Sequence, residues 1–146
     1  MATRHTVHQD RVEYLLRSPT GPVARDLLKR GLKVESRAKL LLAGGGGRPK
    51  RIDTARLRSS IRTVPGQDNG APVVRIGTAV HYARWVHSGT GIYGPLHRPI
   101  RPTRARFLRF RPKGSTRFVY ARSVKGMRGN AFLADALSAA GARGRR

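Results

Sequence analysis

Cysteine is absent from this 146-residue chain, which excludes disulfide stapling, thiolate nucleophiles and cysteine-ligated zinc. Acidic residues are scarce: seven Asp and Glu stand against 31 Lys and Arg, a formal net charge of +24. Four of the seven acids precede residue 40, so paired carboxylates for hydrolysis are poorly supplied. Long hydrophobic runs are missing too. The longest aliphatic stretch, LLLA at 40–43, falls far short of a membrane span. MATRHTVHQDRVEYLL, the N-terminal stretch, has no continuous apolar region of signal-peptide kind. Together these absences predict a soluble protein made in a reducing compartment, or one released by lysis.

What is present is positive charge. A chain of this length forms one domain with a modest core, and unbalanced repulsion of this size attracts any polyanion or acidic surface nearby. The basic residues are unevenly placed. Between Asp68 and Asp135 there is no acid at all, while thirteen Lys and Arg occur there. Arg98, Arg101, Arg104, Arg106, Arg109 and Arg111 form a dense band, the candidate contact with a polyanion or an acidic neighbour.

Hydrophobic periodicity predicts an α+β fold. Val23, Leu27, Gly31, Val34, Ala38 and Leu41 follow helical spacing over 22–43, with Pro22 suited to a first turn. Gly31 weakens that pattern by about 1 kcal/mol relative to alanine, which points to a bend or a close helix contact. Residues 1–21 read as an arm with a short turn at Tyr14–Leu16, broken by SPTGP. AGGGGRPKR follows a helix and lacks the lysine–hydroxyl ending of a P-loop, so it reads as a connector. IDTARLRSSIRTV predicts a short helix entered from Asp53 or Thr54, with Leu57 and Ile61 on one face, the pattern turning extended from about Ile61. PGQDNGAP, residues 65–72, reads as a turn-rich connection and VVRIGT as a strand. Further strands are expected at FLRFR and TRFVYA, after a turn at Pro112-Lys113-Gly114. A helix capped by Asn130 carries Phe132, Leu133, Ala136 and Leu137, and 141–146 is a basic tail. The expected architecture is a single domain, with a small antiparallel sheet packed against the long N-terminal helix and the C-terminal helix. Its α+β core spans 52–140, interrupted by an extended arginine-rich loop at 92–106.

Catalytic chemistry is poorly supported. The histidines are His5, His8, His81, His87 and His97. None forms an HExxH pattern, and the later three have no sequence-near carboxylate to orient them, so only Asp53 or Asp135 could reach them in space. Ser88 lacks the GxSxG setting. No catalytic, cofactor-binding or metal site is expected. Trp85 and Tyr82 could stack on bases if exposed, but their helical spacing beside Val86 favours packing. No zinc-finger spacing, RNA-recognition aromatic pair or helix-turn-helix appears, so nucleic acid contact would be mainly to phosphate.

Three segments carry a resemblance. Thr54, Leu57, Arg58, Ser60 and Ile61 stand in IDTARLRSSI; Tyr82, Ala83, Gly89 and Thr90 in HYARWVHSGT; Phe132, Leu133 and Ala136 in NAFLADAL. In order and spacing the set resembles the small neck or tail-completion proteins of long-tailed bacteriophages. In that family "TG-x-LR-x-SI" leads into a strand and is followed by "YA-x-x-x-x-x-GT" and a "PFL-x-x-A" helix. The resemblance spans about residues 23–140. Here Ala55 replaces the usual glycine, Asn130-Ala131 stands where proline is common, and the 92–106 loop is longer than in the family.

It implies a non-enzymatic virion protein without cofactors, assembled in the host cytoplasm as a ring of six copies at the head–tail junction. Its partners would be an adjoining head-completion or connector ring and tail terminator or tail tube proteins, with DNA in the channel a further candidate. Tyr82 and Trp85 would fix a short helix against the sheet, and Gly89 and Thr90 would shape the turn that launches the loop. A tail terminator ring and a non-specific nucleic-acid-binding protein remain the alternatives.

Overall fold

Pro22 opens the longest helix. The computed structural model describes residues 7–47, 55–112 and 114–141. In it α2 (Pro22–Leu42) buries Gly31, Val34, Ala38, Leu41 and Leu42 along one stripe, the spacing of a core-facing helix. The other face is solvated, and its Arg30–Asp26 pair at 2.7 Å is exposed, hence of small energetic consequence. At the end, the N–H groups of Ala43 and Gly44 donate to the carbonyls of Lys39 and Leu41, leading into a tight turn at Gly45–Gly47. The rest of the glycine-rich connector, with the expected helix entry at Asp53 or Thr54, lies outside the described residues.

Ahead of α2 stands α1 (Gln9–Arg17), which buries none of its residues. It is a longer element than the short turn expected at Tyr14–Leu16. Helix α3 (Arg56–Ser60) follows Ala55, whose φ of 59° is left-handed. Glycine adopts that conformation freely and alanine does not. Leu57 and Ile61 are both buried.

Strand β1 (Arg62–Asp68) pairs antiparallel with β2 (Ala71–Gly77). This corrects the expected turn-rich connection over 65–72: Pro65 pairs with Val74 and Gly66 with Val73, and only Asn69-Gly70 turns. Both turn residues have positive φ, 49° and 76°, as a two-residue hairpin requires. Proline is tolerated because a two-stranded ribbon leaves each strand an unpaired edge.

Helix α2 packs on this hairpin, and Gly31 is the point of approach. A Cβ there would lie 2.6 Å from Val74 Cγ1 and 2.8 Å from Thr63 Cγ2. The glycine therefore serves a close contact with a hairpin, where a bend or a helix contact had been expected. The Thr63 hydroxyl donates to the Gly31 carbonyl at 3.3 Å. A hydrogen bond from Lys39, then one from the Thr63 side chain, hold the Glu35 carboxyl below its ordinary range. Helix α5 (Phe132–Ala139) lies against α2 and buries Phe132 and Ala136. It begins at Phe132, one residue later than a cap at Asn130 would start it.

These elements form one compact unit, the chain up to Ala79 together with Phe132 onward; Val80–Ala131 forms a second. A single domain had been expected. The second unit contains α4 (Ala83–Ser88) and the ribbon of β3 (Leu108–Phe110) and β4 (Val119–Ala121). The expected small antiparallel sheet is thus two separate two-stranded ladders, β1–β2 and β3–β4. Among the described residues of the second unit, Ala83 is the only buried hydrophobic one.

Candidate interaction surface

With so little apolar burial, Val80–Ala131 is held largely by its backbone. Two segments, 87–94 and 124–130, run side by side. The N–H of Thr90 donates to Met127 O at 2.8 Å and that of Ile92 to Lys125 O at 2.9 Å. The Met127 N–H donates to Thr90 Oγ1 at 3.0 Å, and the Asn130 N–H to Val86 O at 2.8 Å. Glycine makes this approach feasible: a Cβ on Gly91 would fall on the Lys125 carbonyl, and one on Gly126 on the Thr90 carbonyl. Both have positive φ, 66° and 88°. Further along, Ile100 and Val124 exchange two backbone hydrogen bonds at 2.9 and 3.0 Å.

A groove of about 930 Å³ is lined by Arg84, Trp85, Leu96, Arg98, Ile100 and Arg101 among others. Trp85 is 42% exposed and Leu96 71%. The expected packing role of Trp85 is not met: Arg84 lies over its ring at 4.7 Å and His81 meets it edge-on at 5.8 Å. Helical spacing identified α4 without telling which face is solvated. Tyr82 is half-buried at the helix start, Gly89 is buried and Thr90 half-buried.

The six arginines of the expected band are all exposed, but they do not form one feature. Arg98 and Arg101 line the groove. Arg109 and Arg111 belong to the β3–β4 ribbon and its continuation, Arg106 covers the Phe107 ring at 5.6 Å, and Arg104 lies on the irregular segment between. Of the packing residues, Leu57, Ile61 and Phe132 are buried and Leu133 half-buried.

Sequence reasoning missed the aromatic partners of this surface. Arg109 stacks over Phe118 at 3.9 Å and Arg128 over Tyr93 at 5.3 Å. It also missed Gly126, whose role depends on a segment 36 residues away around Thr90 and has no local signature. Twelve Lys and Arg and not one acid fall in Val80–Ala131. The arrangement can bind polyanions and stack on flat groups.

Among the described residues no group of three or more His, Asp or Glu could hold a metal ion, and no helix is long and apolar enough to cross a membrane. His81 and His87 lie at and in α4, His97 has a φ of 47° on the exposed loop, and His8 precedes α1. His5 and Asp53 lie outside the described residues.

Fold and surface define an α+β protein that pairs a helix–hairpin core with a basic, aromatic-bearing unit. Set against known protein families, curated proteins and solved structures, the chain matches none.

Proposed function

We propose that the protein is a structural subunit of the neck of a long-tailed bacteriophage, forming a ring at the head–tail junction that helps to complete or join the tail. The observation that carries this reading is the character of Val80–Ala131: basic throughout, yet exposing Trp85, Tyr93, Leu96 and Ile100. Solvated apolar side chains of this size, rimmed by charge, mark interaction surfaces. Helix α1 adds a second such face, with Val12, Leu15 and Leu16 exposed at helical spacing. Assembly would cover both faces and place the arginines against acidic neighbours.

Two features of the resembling segments support the reading. Ala55 stands where the phage family has glycine, and it takes a left-handed conformation that glycine satisfies without strain. Gly89 and Thr90, the "GT" of the motif, sit in the backbone clasp, where the Thr90 hydroxyl accepts from Met127. In this reading the ring of six copies meets a head-completion or connector ring on one side and tail terminator or tail tube proteins on the other. No catalytic step, cofactor or metal enters it.

The test is electron microscopy of particles made by a phage genome lacking this gene. Filled heads beside separate, completed tails are expected. Normally joined, infectious particles would overturn the assignment.

A further inference from the structure

The β3–β4 ribbon carries chemistry that ring assembly does not require. In an antiparallel pair, directly opposed residues share a face, and alternate residues return to it. Arg109 is opposed to Tyr120, while Leu108–Ala121 and Phe110–Val119 belong to the other face. Phe118, just ahead of β4, joins that face through the 3.9 Å contact of Arg109 over its ring, and Arg111 directly follows β3. One face of the ribbon therefore sets Arg109 beside two aromatic rings, with Arg111 at the strand's end. Tyr120 is 62% exposed and Phe118 50%. Phe107, under the guanidinium of Arg106, stands beside the start of β3.

From this juxtaposition of Arg109 with Phe118 and Tyr120 on one ribbon face, with Arg111 next along the chain, we propose a binding platform for single-stranded nucleic acid. The rings supply flat surfaces on which unpaired bases stack, and the arginines meet the phosphates. Base stacking on a side chain needs an unpaired base, which a duplex withholds. Charge complementarity favours a polyphosphate occupant: no acidic residue of Val80–Ala131 competes for the arginines. The rings read no base edges, so binding is indifferent to sequence apart from stacking strength. This inference is independent of the neck assignment and would stand if that failed.

Fluorescence anisotropy on the full chain tests it, using a labelled oligothymidylate of about 20 nucleotides against a mixed-sequence duplex of equal phosphate number, over a salt series. The single strand is expected to bind more tightly at every salt concentration. Tyr120→Ala should weaken it about tenfold, Tyr120→Phe should restore it, and duplex binding should not change, because a stacked base contributes about 1–3 kcal/mol. Arg109→Lys keeps the charge but loses the planar group; it should weaken single-strand binding at an unchanged salt slope. Tyr120 is exposed, so a matching unfolding midpoint shows that the variant is folded.

Equal affinity for strand and duplex, unmoved by Tyr120→Ala, would overturn the platform and leave only polyelectrolyte attraction. A change in oligomeric state with Tyr120→Ala, and none in nucleic acid binding, would overturn it in favour of a protein contact.

Discussion

The two units of this chain solve the problem of positive charge in opposite ways. The first, built on α2, the β1–β2 hairpin and α5, holds all seven acids among its nineteen Lys and Arg. It also owns nearly every buried apolar side chain: Val34, Leu41, Leu42, Leu57, Ile61 and Phe132. The second, Val80–Ala131, has twelve basic residues and no acid, so a smaller segment carries half the net charge. Among its described residues only Ala83 is a fully buried hydrophobic one, with Val86, Ile92, Leu108, Val124 and Met127 half-buried, and it closes through glycine-mediated backbone hydrogen bonds. Apolar burial of about 25 cal/mol per Å² concentrates stability in the first unit. In the second, arginines and rings stay outside, where a partner can use them. The contrast assigns stability to one unit and recognition to the other.

Substitutions can break that contrast, and the largest effect belongs to the core. Phe132 is fully buried, so Phe132→Ala should cost about 3–5 kcal/mol in urea unfolding. The clasp comes next. Gly126→Ala combines a strained φ with a collision at the Thr90 carbonyl and should cost about 1–3 kcal/mol. Amide hydrogen exchange should locate that loss at Ile92 and Met127 and leave the α2 amides protected. Faster exchange throughout α2 would show that the clasp and the core unfold as one.

Glu35 should show a smaller, pH-dependent effect. Its folded-state pKa is lowered, first by the Lys39 hydrogen bond and then by Thr63. The associated stability is fully present above the ordinary carboxylate value and is lost as pH falls through the lowered one. Glu35→Gln should cost about 1 kcal/mol at neutral pH and flatten that part of the acid limb of a stability–pH curve. Ala55→Gly sharpens the account from the other side. Relief of the left-handed alanine, offset by added freedom in the unfolded chain, should raise stability by about 0.5–1 kcal/mol. Least of all, Trp85→Ala should change the unfolding free energy by about 0.5 kcal/mol, since the residue is 42% exposed. A loss near that of Phe132→Ala would make Trp85 a core residue after all.

Periodicity made the first unit legible. The α2 stripe from Gly31 to Leu41, the VVRIGT strand and the Phe132–Ala136 face all appear where their spacing put them. The hairpin turn was misread because Pro65 and Gly66 look like turn residues when read locally, whereas cross-strand pairing with Val74 and Val73 overrides that preference. The second unit was legible in charge but not in geometry. Its organisation comes from glycines paired across distant segments, such as Gly91 with Lys125, and no local pattern encodes that. Nor does spacing alone give the outward direction of Trp85 or bring Arg109 onto Phe118. The arginine band was visible; its division between a groove and a ribbon was not.

The most direct test neutralises equal charge in each unit. In one variant the exposed Arg84, Arg98, Arg101 and Arg104 become glutamine; in the other, the exposed Lys29, Lys33, Arg37 and Arg58 do. Each is supplied in trans to a phage genome lacking the gene, and joined particles are counted by electron microscopy. The first variant should fold but leave heads and tails separate, while the second should restore joined particles. Equal rescue by both variants, or rescue by the first alone, would contradict the assignment of recognition to Val80–Ala131.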